Sequence, residues 1–328
     1  MLDMQAMTVS PIERRYLRRE NPPSFRVTPR VLAILDALRR YGLLTSQQLA
    51  RLDGGSHQKV LRILQLCFDH KLVDRPGATQ FSPLSPFFDH RPLVYALSRK
   101  GALALASAGV DVNTRLDRTT RNRRAVLIEH SIAVAEVLFG IQSACATHGA
   151  VHLADQHALV TSMPTTTQEM RKPLRVKTSV HPADFPHLRR LLKEQVEIGV
   201  EPDRLFALAL PDKTGWTFGL ELDRATERVI PKRLTGTSIL KKQLGYTAAW
   251  QSGKFVELWG SSFKAFRCLF ITTAGEARIR TMIDAQNQVG SPTGLFLYTT
   301  TSRLADKGAL APIWISSKRD GVALLDRE

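Results

Sequence analysis

Apolar side chains recur at helical spacing in three successive segments near the start of the chain. They predict helices over residues 29–41, 45–52 and 56–71, because each segment places its apolar positions on one side of a helix. The sequence Asp53-Gly54-Gly55 supplies a turn between the second and third helices. Three short helices with a glycine turn before the third are typical of a helix-turn-helix.

Two short segments after these helices are predicted to be strands. They cover residues 72–75 and 93–97, and a proline-rich loop over residues 76–92 lies between them. Two strands joined by a loop directly after a helix-turn-helix form the wing of a winged helix. The pattern therefore predicts a winged helix-turn-helix domain in the N-terminal part of the chain.

Predicted helices and strands alternate in the rest of the chain. A helix over residues 125–147 is apolar on more than one side, and residues 186–198 predict an amphipathic helix. Residues 205–210 and 216–222 predict a β-hairpin, since each is a short apolar run and a turn separates them. The alternation predicts an α/β (α+β) fold class with a mixed sheet. The predicted organisation is a basic N-terminal arm at 1–27, a winged helix at 28–110, a basic linker at 111–124 and an α/β domain at 125–328.

The predicted hairpin brings three acidic residues together. It places Asp203, before the first strand, level with Glu221 and Asp223, which point to the same face of the second strand. Converging carboxylates repel each other unless a cation lies between them, and their oxygens suit Mg²⁺ or Mn²⁺. The spacing thus indicates a metal site able to activate water beside a phosphate. Solvated turn residues are the alternative interpretation.

The charge of the chain indicates a polyanionic partner. The formal net charge is +16, which favours double-stranded DNA over a membrane surface, because the sequence has no long basic amphipathic helix. In a winged helix the third helix enters the major groove and the wing contacts phosphates. The predicted DNA-contacting residues are His57, Gln58, Lys59 and Arg62 in the helix and Arg75, His90 and Arg91 in the wing. A winged helix that binds protein instead is the alternative.

The sequence favours a cytoplasmic protein. We find no run of 18 uninterrupted apolar residues and no apolar signal core at the N-terminus, so no membrane partner is expected. The three cysteines are far apart in apolar surroundings and are predicted to be buried, reduced thiols.

Several short motifs carry a resemblance to a known family. A winged helix is followed by the sequences EHSIAVAE, PD, ELDRATE and KKQLGY. In this order they resemble the replication-relaxation proteins of plasmids and integrative elements. The chain is also similar to mobilisation relaxases built on a restriction-nuclease-like fold. The resemblance covers residues from about Thr28 to Gln288.

The resemblance implies a nuclease core of the PD-(D/E)XK kind. Asp203 stands for the aspartate of PD and Glu221 for the acidic residue of the next strand, while Asp223 occupies the position where the usual motif has lysine. The lysine would then come from the following helix as Lys241 or Lys242, or from Lys232. The implied catalytic residues are Asp203, Glu221, Asp223, Lys241 and Lys242, with His130, Glu136 and Tyr246 as additional candidates.

These features support two functions of different classes. The first is a DNA-binding protein of a mobile element that nicks one strand with Mg²⁺ or Mn²⁺ held by Asp203, Glu221 and Asp223. Tyr246 is either a covalent nucleophile or a packing residue in this interpretation. The second is a replication or transcription regulator with a degenerate nuclease fold. A restriction or defence nuclease is a third option. A homodimer and other plasmid replication or transfer proteins are further partners that these functions allow.

Overall fold

The structure is a computed structural model that describes residues 14–76, 92–112, 125–212, 215–291 and 294–326. These residues form a mixed α/β fold with eleven α-helices and three sheets. The chain divides into two compact units, Met1–Ala135 and Glu136–Glu328, which are described separately below. The division falls inside a long helix, whereas the predicted α/β domain begins at residue 125.

The N-terminal unit contains the predicted helices and a three-stranded antiparallel sheet. The helices are α1 (Pro29–Tyr41), α2 (Ser46–Asp53), α3 (His57–Asp69) and α4 (Arg99–Ser107). The strands are β1 (Leu43–Thr45), β2 (Val73–Asp74) and β3 (Val94–Leu97). The strand order in the sheet is β1-β3-β2.

Local sequence explains where these helices begin. Thr45 and Gln48 form a capping box: the backbone N–H of Gln48 donates to Thr45 Oγ1 over 3.1 Å, and the backbone N–H of Thr45 donates to Gln48 Oε1 over 2.9 Å. Gly54 follows α2 with φ of 67°, a left-handed conformation that favours glycine. The predicted turn before α3 is therefore present.

The described part of the arm packs against the end of α3. Arg18 donates to the backbone oxygens of Phe68 and Val73 and to Asp74 Oδ1, over 2.7, 3.0 and 2.7 Å. Arg19 forms an ion pair with Asp69, and the Phe25 ring stacks on His70. At least these two arginines of the predicted basic arm therefore contact the protein itself.

The C-terminal unit is built on a seven-stranded mixed sheet. The strands of this unit are β4 (His152–Ala154), β5 (Val176–Val180), β6 (Val196–Val200), β7 (Arg204–Ala209), β8 (Gly215–Asp223), β9 (Phe266–Thr272), β10 (Phe296–Thr300), β11 (Trp314–Ile315) and β12 (Asp320–Val322). The strand order in the large sheet is β12-β11-β10-β9-β8-β7-β4, with β8, β9 and β10 parallel to one another and the other pairings antiparallel. A separate antiparallel pair joins β5 and β6.

Helices connect the parallel strands of this sheet. The helices are α5 (Ala125–His148), which spans the division between the units, α6 (Gln156–Ser162), α7 (Thr165–Gln168), α8 (Ile239–Gln251), α9 (Lys254–Trp259), α10 (Glu276–Val289) and α11 (Thr301–Lys307). Of these, α8 and α9 link β8 to β9, and α10 links β9 to β10. The parallel connections make this an α/β unit, as the alternation of elements predicts.

The predicted amphipathic helix over residues 186–198 is wrong. The structure has a short 3₁₀ turn, Pro186–Leu188, and then strand β6. In β6 the side chains of Ile198 and Val200 are buried, while Glu197 and Gly199 are exposed, which is the alternation of a strand. Pairing with β5 therefore overrides the helical spacing of the preceding leucines.

Helix α5 contains one segment, Leu127–His148, that is long and apolar enough to cross a membrane by length and composition. It is the one such helix among the described residues, and 44% of an 18-residue stretch of it is buried. A core helix of a soluble protein passes the same test. Ile128 and Ile141 are fully buried in their respective units. The three cysteines are free and buried, as predicted.

Candidate functional site

The β7–β8 hairpin brings Asp203 beside Glu221. Arg204 lies opposite Leu220, so the preceding residue, Asp203, lies level with Glu221. The backbone N–H of Asp203 donates to the Leu220 oxygen over 2.8 Å, and Asp203 Oδ2 accepts from the Leu222 N–H over 2.9 Å. The hairpin register that the sequence predicts is therefore present, and it holds the Asp203 carboxylate at the edge of β8.

Glu221 is held by two side chains from helix α8. Its carboxylate is buried, with 3% of the side chain exposed. The Tyr246 hydroxyl donates to Glu221 Oε1 over 2.7 Å, and Lys242 Nζ lies 3.0 Å from Glu221 Oε2. Lys242 and Tyr246 are four residues apart and thus share one face of the helix. Asp203, Glu221 and Lys242 form what we call the acidic–lysine cluster.

Gly245 allows helix α8 to lie close to strand β6, in the position from which Lys242 and Tyr246 reach Glu221. A β-carbon on Gly245 would lie 2.5 Å from Val200 Cγ1 and 2.8 Å from Ile198 Cγ2. The helix backbone therefore approaches β6 closely at this residue. Ser238 caps the helix by accepting from the Lys241 N–H over 3.2 Å. These features fix the axial position from which Lys242 and Tyr246 reach Glu221.

The burial of the acidic–lysine cluster changes its acid–base properties. Burial raises the pKa of Glu221 to about 7; the Asp203 charge adds to the rise, while Lys242 and the Tyr246 hydrogen bond oppose it. Burial lowers the pKa of Lys242, but the charges of Glu221, Asp203 and Glu227 outweigh it, so the pKa is raised overall. The ammonium of Lys242 therefore stays charged at neutral pH.

Asp223, the third predicted carboxylate, is paired with an arginine that no sequence pattern singles out. Arg278, in the first turn of α10, donates from Nε to Asp223 Oδ2 and from Nη2 to Oδ1, each over 2.9 Å. Thr272 Oγ1 donates to Asp223 Oδ2 over 2.7 Å. Both carboxylate oxygens are thus engaged inside the protein, and the partner comes from a helix far along the chain.

Two carboxylates, Asp203 and Glu221, are the oxygen donors that the acidic–lysine cluster offers to a cation. Within the described ranges no group of three His, Cys, Asp or Glu side chains is placed to hold a metal ion. Mg²⁺ commonly binds proteins through one or two carboxylates, with water and substrate phosphates completing its shell. Asp203 and Glu221 fit that kind of site, and a cation there would compete with Lys242 for Glu221.

The remaining catalytic candidates differ in their exposure and in their contacts. Lys242 rather than Lys241 contacts Glu221, and Lys232 is exposed in the loop before α8. Tyr246 is fully buried, and burial raises its pKa well above the usual value. This environment suits a packing residue that orients Glu221. His130 is half-buried in the N-terminal unit, and Glu136 is exposed.

The predicted DNA-reading residues of α3 share an exposed surface. His57, Gln58, Lys59 and Arg62 are all exposed, while Val60 and Leu64 on the opposite side are fully buried. The amphipathic pattern of the helix therefore turns its polar side to solvent, as predicted. We call these four side chains the α3 polar face.

Arg75, predicted to contact phosphate from the wing, is instead buried, with 8% of the residue exposed. Its guanidinium donates to the Arg15 backbone oxygen and to Gln65 Oε1, and it stacks over the Phe68 ring at 4.1 Å. These contacts make it a core residue of the N-terminal unit. His90 and Arg91, the other two residues predicted in the wing, lie outside the described residues.

Comparisons with known proteins place most of the chain in one family. A family model described as Replication-relaxation matches residues 35–259, a range that includes α3, the β7–β8 hairpin and α8. Neither the curated proteins nor the solved structures gave a match.

Proposed function

The chain belongs to the replication-relaxation family, and from this premise we propose that it binds and nicks DNA during replication or mobilisation of a plasmid or integrative element. The C-terminal unit would be a metal-dependent endonuclease of the PD-(D/E)XK kind. The observation that carries the proposal is the acidic–lysine cluster, in which Asp203 lies beside Glu221 and Lys242 Nζ lies 3.0 Å from Glu221 Oε2.

The residues of this cluster match the needs of phosphodiester hydrolysis. Asp203 is half-buried immediately before β7, and Glu221 lies near the end of β8. Together they would hold Mg²⁺ or Mn²⁺. When bound, such an ion polarises the phosphate and activates water. Lys242 keeps its charge and is 28% exposed, so its ammonium would stabilise the negative charge that develops on the phosphate.

The arrangement of the N-terminal unit supports a DNA-binding winged helix as part of this proposal. Helices α1 to α3 are followed by the antiparallel strands β2 and β3, and the α3 polar face is exposed. In this arrangement Gln58 would read adenine and Arg62 guanine or a phosphate in the major groove of double-stranded DNA. The net charge of +16 favours association with the phosphate backbone.

The test is cleavage of supercoiled plasmid that carries the element's own origin. Wild-type protein with Mg²⁺ or Mn²⁺ should convert it to open circles, and the Asp203→Asn, Glu221→Gln double variant should lose this activity. The matched control is Glu194→Gln, because Glu194 is an exposed glutamate of the same unit. Linear product from wild type would point to a restriction nuclease. DNA binding without cleavage would overturn the nickase.

A regulator without catalytic activity is the second candidate, and the engagement of the carboxylates within the protein favours it. Tyr246 and Lys242 engage both oxygens of Glu221, and Arg278 engages both oxygens of Asp223. A degenerate nuclease unit would retain such ion pairs for stability alone. It should bind Mn²⁺ no more tightly than the Asp203→Asn, Glu221→Gln variant does, which calorimetry would reveal.

A further inference from the structure

Glu227 gives Lys242 a second carboxylate partner. It lies in the loop between β8 and α8, and its Oε2 atom is 3.4 Å from Lys242 Nζ, against 3.0 Å for Glu221 Oε2. The two carboxylates differ in exposure, since 31% of the Glu227 side chain is exposed and 3% of that of Glu221. The ammonium thus lies between an inner and an outer carboxylate.

The loop that carries Glu227 is held by hydrogen bonds at Glu227 and at Val229. Arg278 Nη2 donates to the Glu227 backbone oxygen over 2.6 Å while the same guanidinium holds Asp223. Beyond Glu227, the backbone N–H of Leu240 donates to the Val229 oxygen over 3.0 Å, which ties the loop to the start of α8. Glu227 is therefore presented to Lys242 from a defined position.

The distance between Lys242 Nζ and Glu227 Oε2 can become shorter. Glu227 Oε2 is shielded from solvent and accepts no hydrogen bond from any residue that the structure describes. A buried carboxylate oxygen without a donor is costly, so a small displacement of the Lys242 ammonium toward it would form a charge-assisted hydrogen bond. Lysine has a flexible stem that permits such a movement.

We propose that Glu227 is a positioning residue that receives the ammonium of Lys242 when a divalent cation takes the carboxylate of Glu221. Without Glu227, the ammonium of Lys242 that the cation displaces from Glu221 would remain next to that cation with no carboxylate to accept it. The two positive charges would repel each other. Glu227 thereby lets Lys242 remain in the site together with the metal ion. The inference rests on the proposed function, because it requires a cation at Asp203 and Glu221.

A double-mutant cycle of Mn²⁺ affinity tests whether the Lys242 ammonium moves from Glu221 to Glu227 when the cation binds. Calorimetry would compare the full-length wild type, Glu227→Gln, Lys242→Met and the double variant. Glu227→Gln should weaken Mn²⁺ binding about tenfold in the wild-type background and less than about threefold when Lys242 is replaced by Met. The residual effect in the Met background measures direct attraction between Glu227 and the cation.

An equal loss of affinity in both backgrounds would overturn the inference, because direct attraction does not require Lys242. No loss in either background would overturn it as well. Glu227→Asp, which keeps the charge on a shorter side chain, should give an intermediate affinity and serves if the Gln variant folds poorly. Glu194→Gln controls for total charge. Wild type that binds no Mn²⁺ would overturn both this inference and the proposed nickase, whereas binding without coupling would overturn the inference alone.

Discussion

A buried carboxyl group must find partners or stay protonated, and Glu221 combines both solutions. Its neighbours are a hydroxyl from Tyr246 and an ammonium from Lys242, yet burial still raises its pKa to about 7. The free energy of ionising this residue therefore enters the stability of the whole C-terminal unit.

The first prediction at the residue scale concerns the pH dependence of stability. At pH values between 4.5, the ordinary pKa of a glutamate, and about 7, Glu221 is protonated more fully in the folded than in the unfolded chain. Protonated Glu221 therefore stabilises the folded state fully below pH 4.5, and this stabilisation is lost as the pH rises through about 7. Glu221→Gln lacks this contribution, so wild type should lose on the order of 3 kcal/mol relative to it between about pH 4.5 and 8.

Urea unfolding at about pH 5 and about pH 8 measures this difference. Glu194→Gln is the control, because it removes an exposed glutamate and should leave the pH dependence unchanged. Parallel pH profiles for wild type and Glu221→Gln would contradict the raised pKa.

Asp223 shows that side-chain spacing along a strand does not predict the partner of a side chain. Glu221 and Asp223 are two residues apart on β8, so their shared face follows from the strand period. Their partners, however, come from different helices: Lys242 and Tyr246 from α8, and Arg278 from α10. Sequence spacing predicts which residues share a face but not which helix covers it.

At the scale of elements, helix α8 depends on the absence of a side chain at Gly245. Glycine inside a helix normally costs stability relative to alanine, so Gly→Ala would usually stabilise a helix. Here the added methyl group would meet Val200 and Ile198 of β6. Close packing against β6 explains why the motif KKQLGY tolerates a glycine in mid-helix.

The prediction for this element is that Gly245→Ala destabilises the protein by about 1–3 kcal/mol, because overpacking forces the helix and β6 apart. Thermal or urea unfolding measures this effect. Gly236→Ala is the matched control, as nothing lies within 4 Å of its added methyl group. Stabilisation by Gly245→Ala would contradict the close contact.

At the scale of the whole molecule, the excess of positive charge indicates the kind of partner. The chain carries 46 Lys and Arg residues against 30 Asp and Glu. Some of the cations are used internally, as Arg18, Arg75 and Arg278 show. The α3 polar face, by contrast, leaves Lys59 and Arg62 exposed.

The prediction at this scale is that Lys59→Ala, Arg62→Ala weakens binding to a DNA duplex. The slope of log affinity against log salt should also fall by about 2 in magnitude, because two phosphate contacts are lost. Fluorescence anisotropy at several salt concentrations measures both quantities. Lys193→Ala removes an exposed cation of the other unit and serves as control. An unchanged salt slope would show that α3 does not contact phosphate.

The sequence by itself determined most of the local structure. Capping residues and helical periodicity located α1, α2 and α3, and the two apolar runs located β7 and β8 with a register that sets Asp203 beside Glu221. These features depend on neighbouring residues, which the sequence displays directly. Strand β6 was predicted as a helix, because its formation depends on pairing with β5.

Only the tertiary structure decided which residues, distant in sequence, pair with the charged side chains of the site. It selected Lys242 over Lys241, assigned Arg278 to Asp223, buried Arg75 and brought Glu227 to the outer side of Lys242. The physical reason is that ion pairs inside a protein form wherever packing brings opposite charges together. That packing depends on how α8 and α10 lie on the sheet, which no local pattern of the chain specifies.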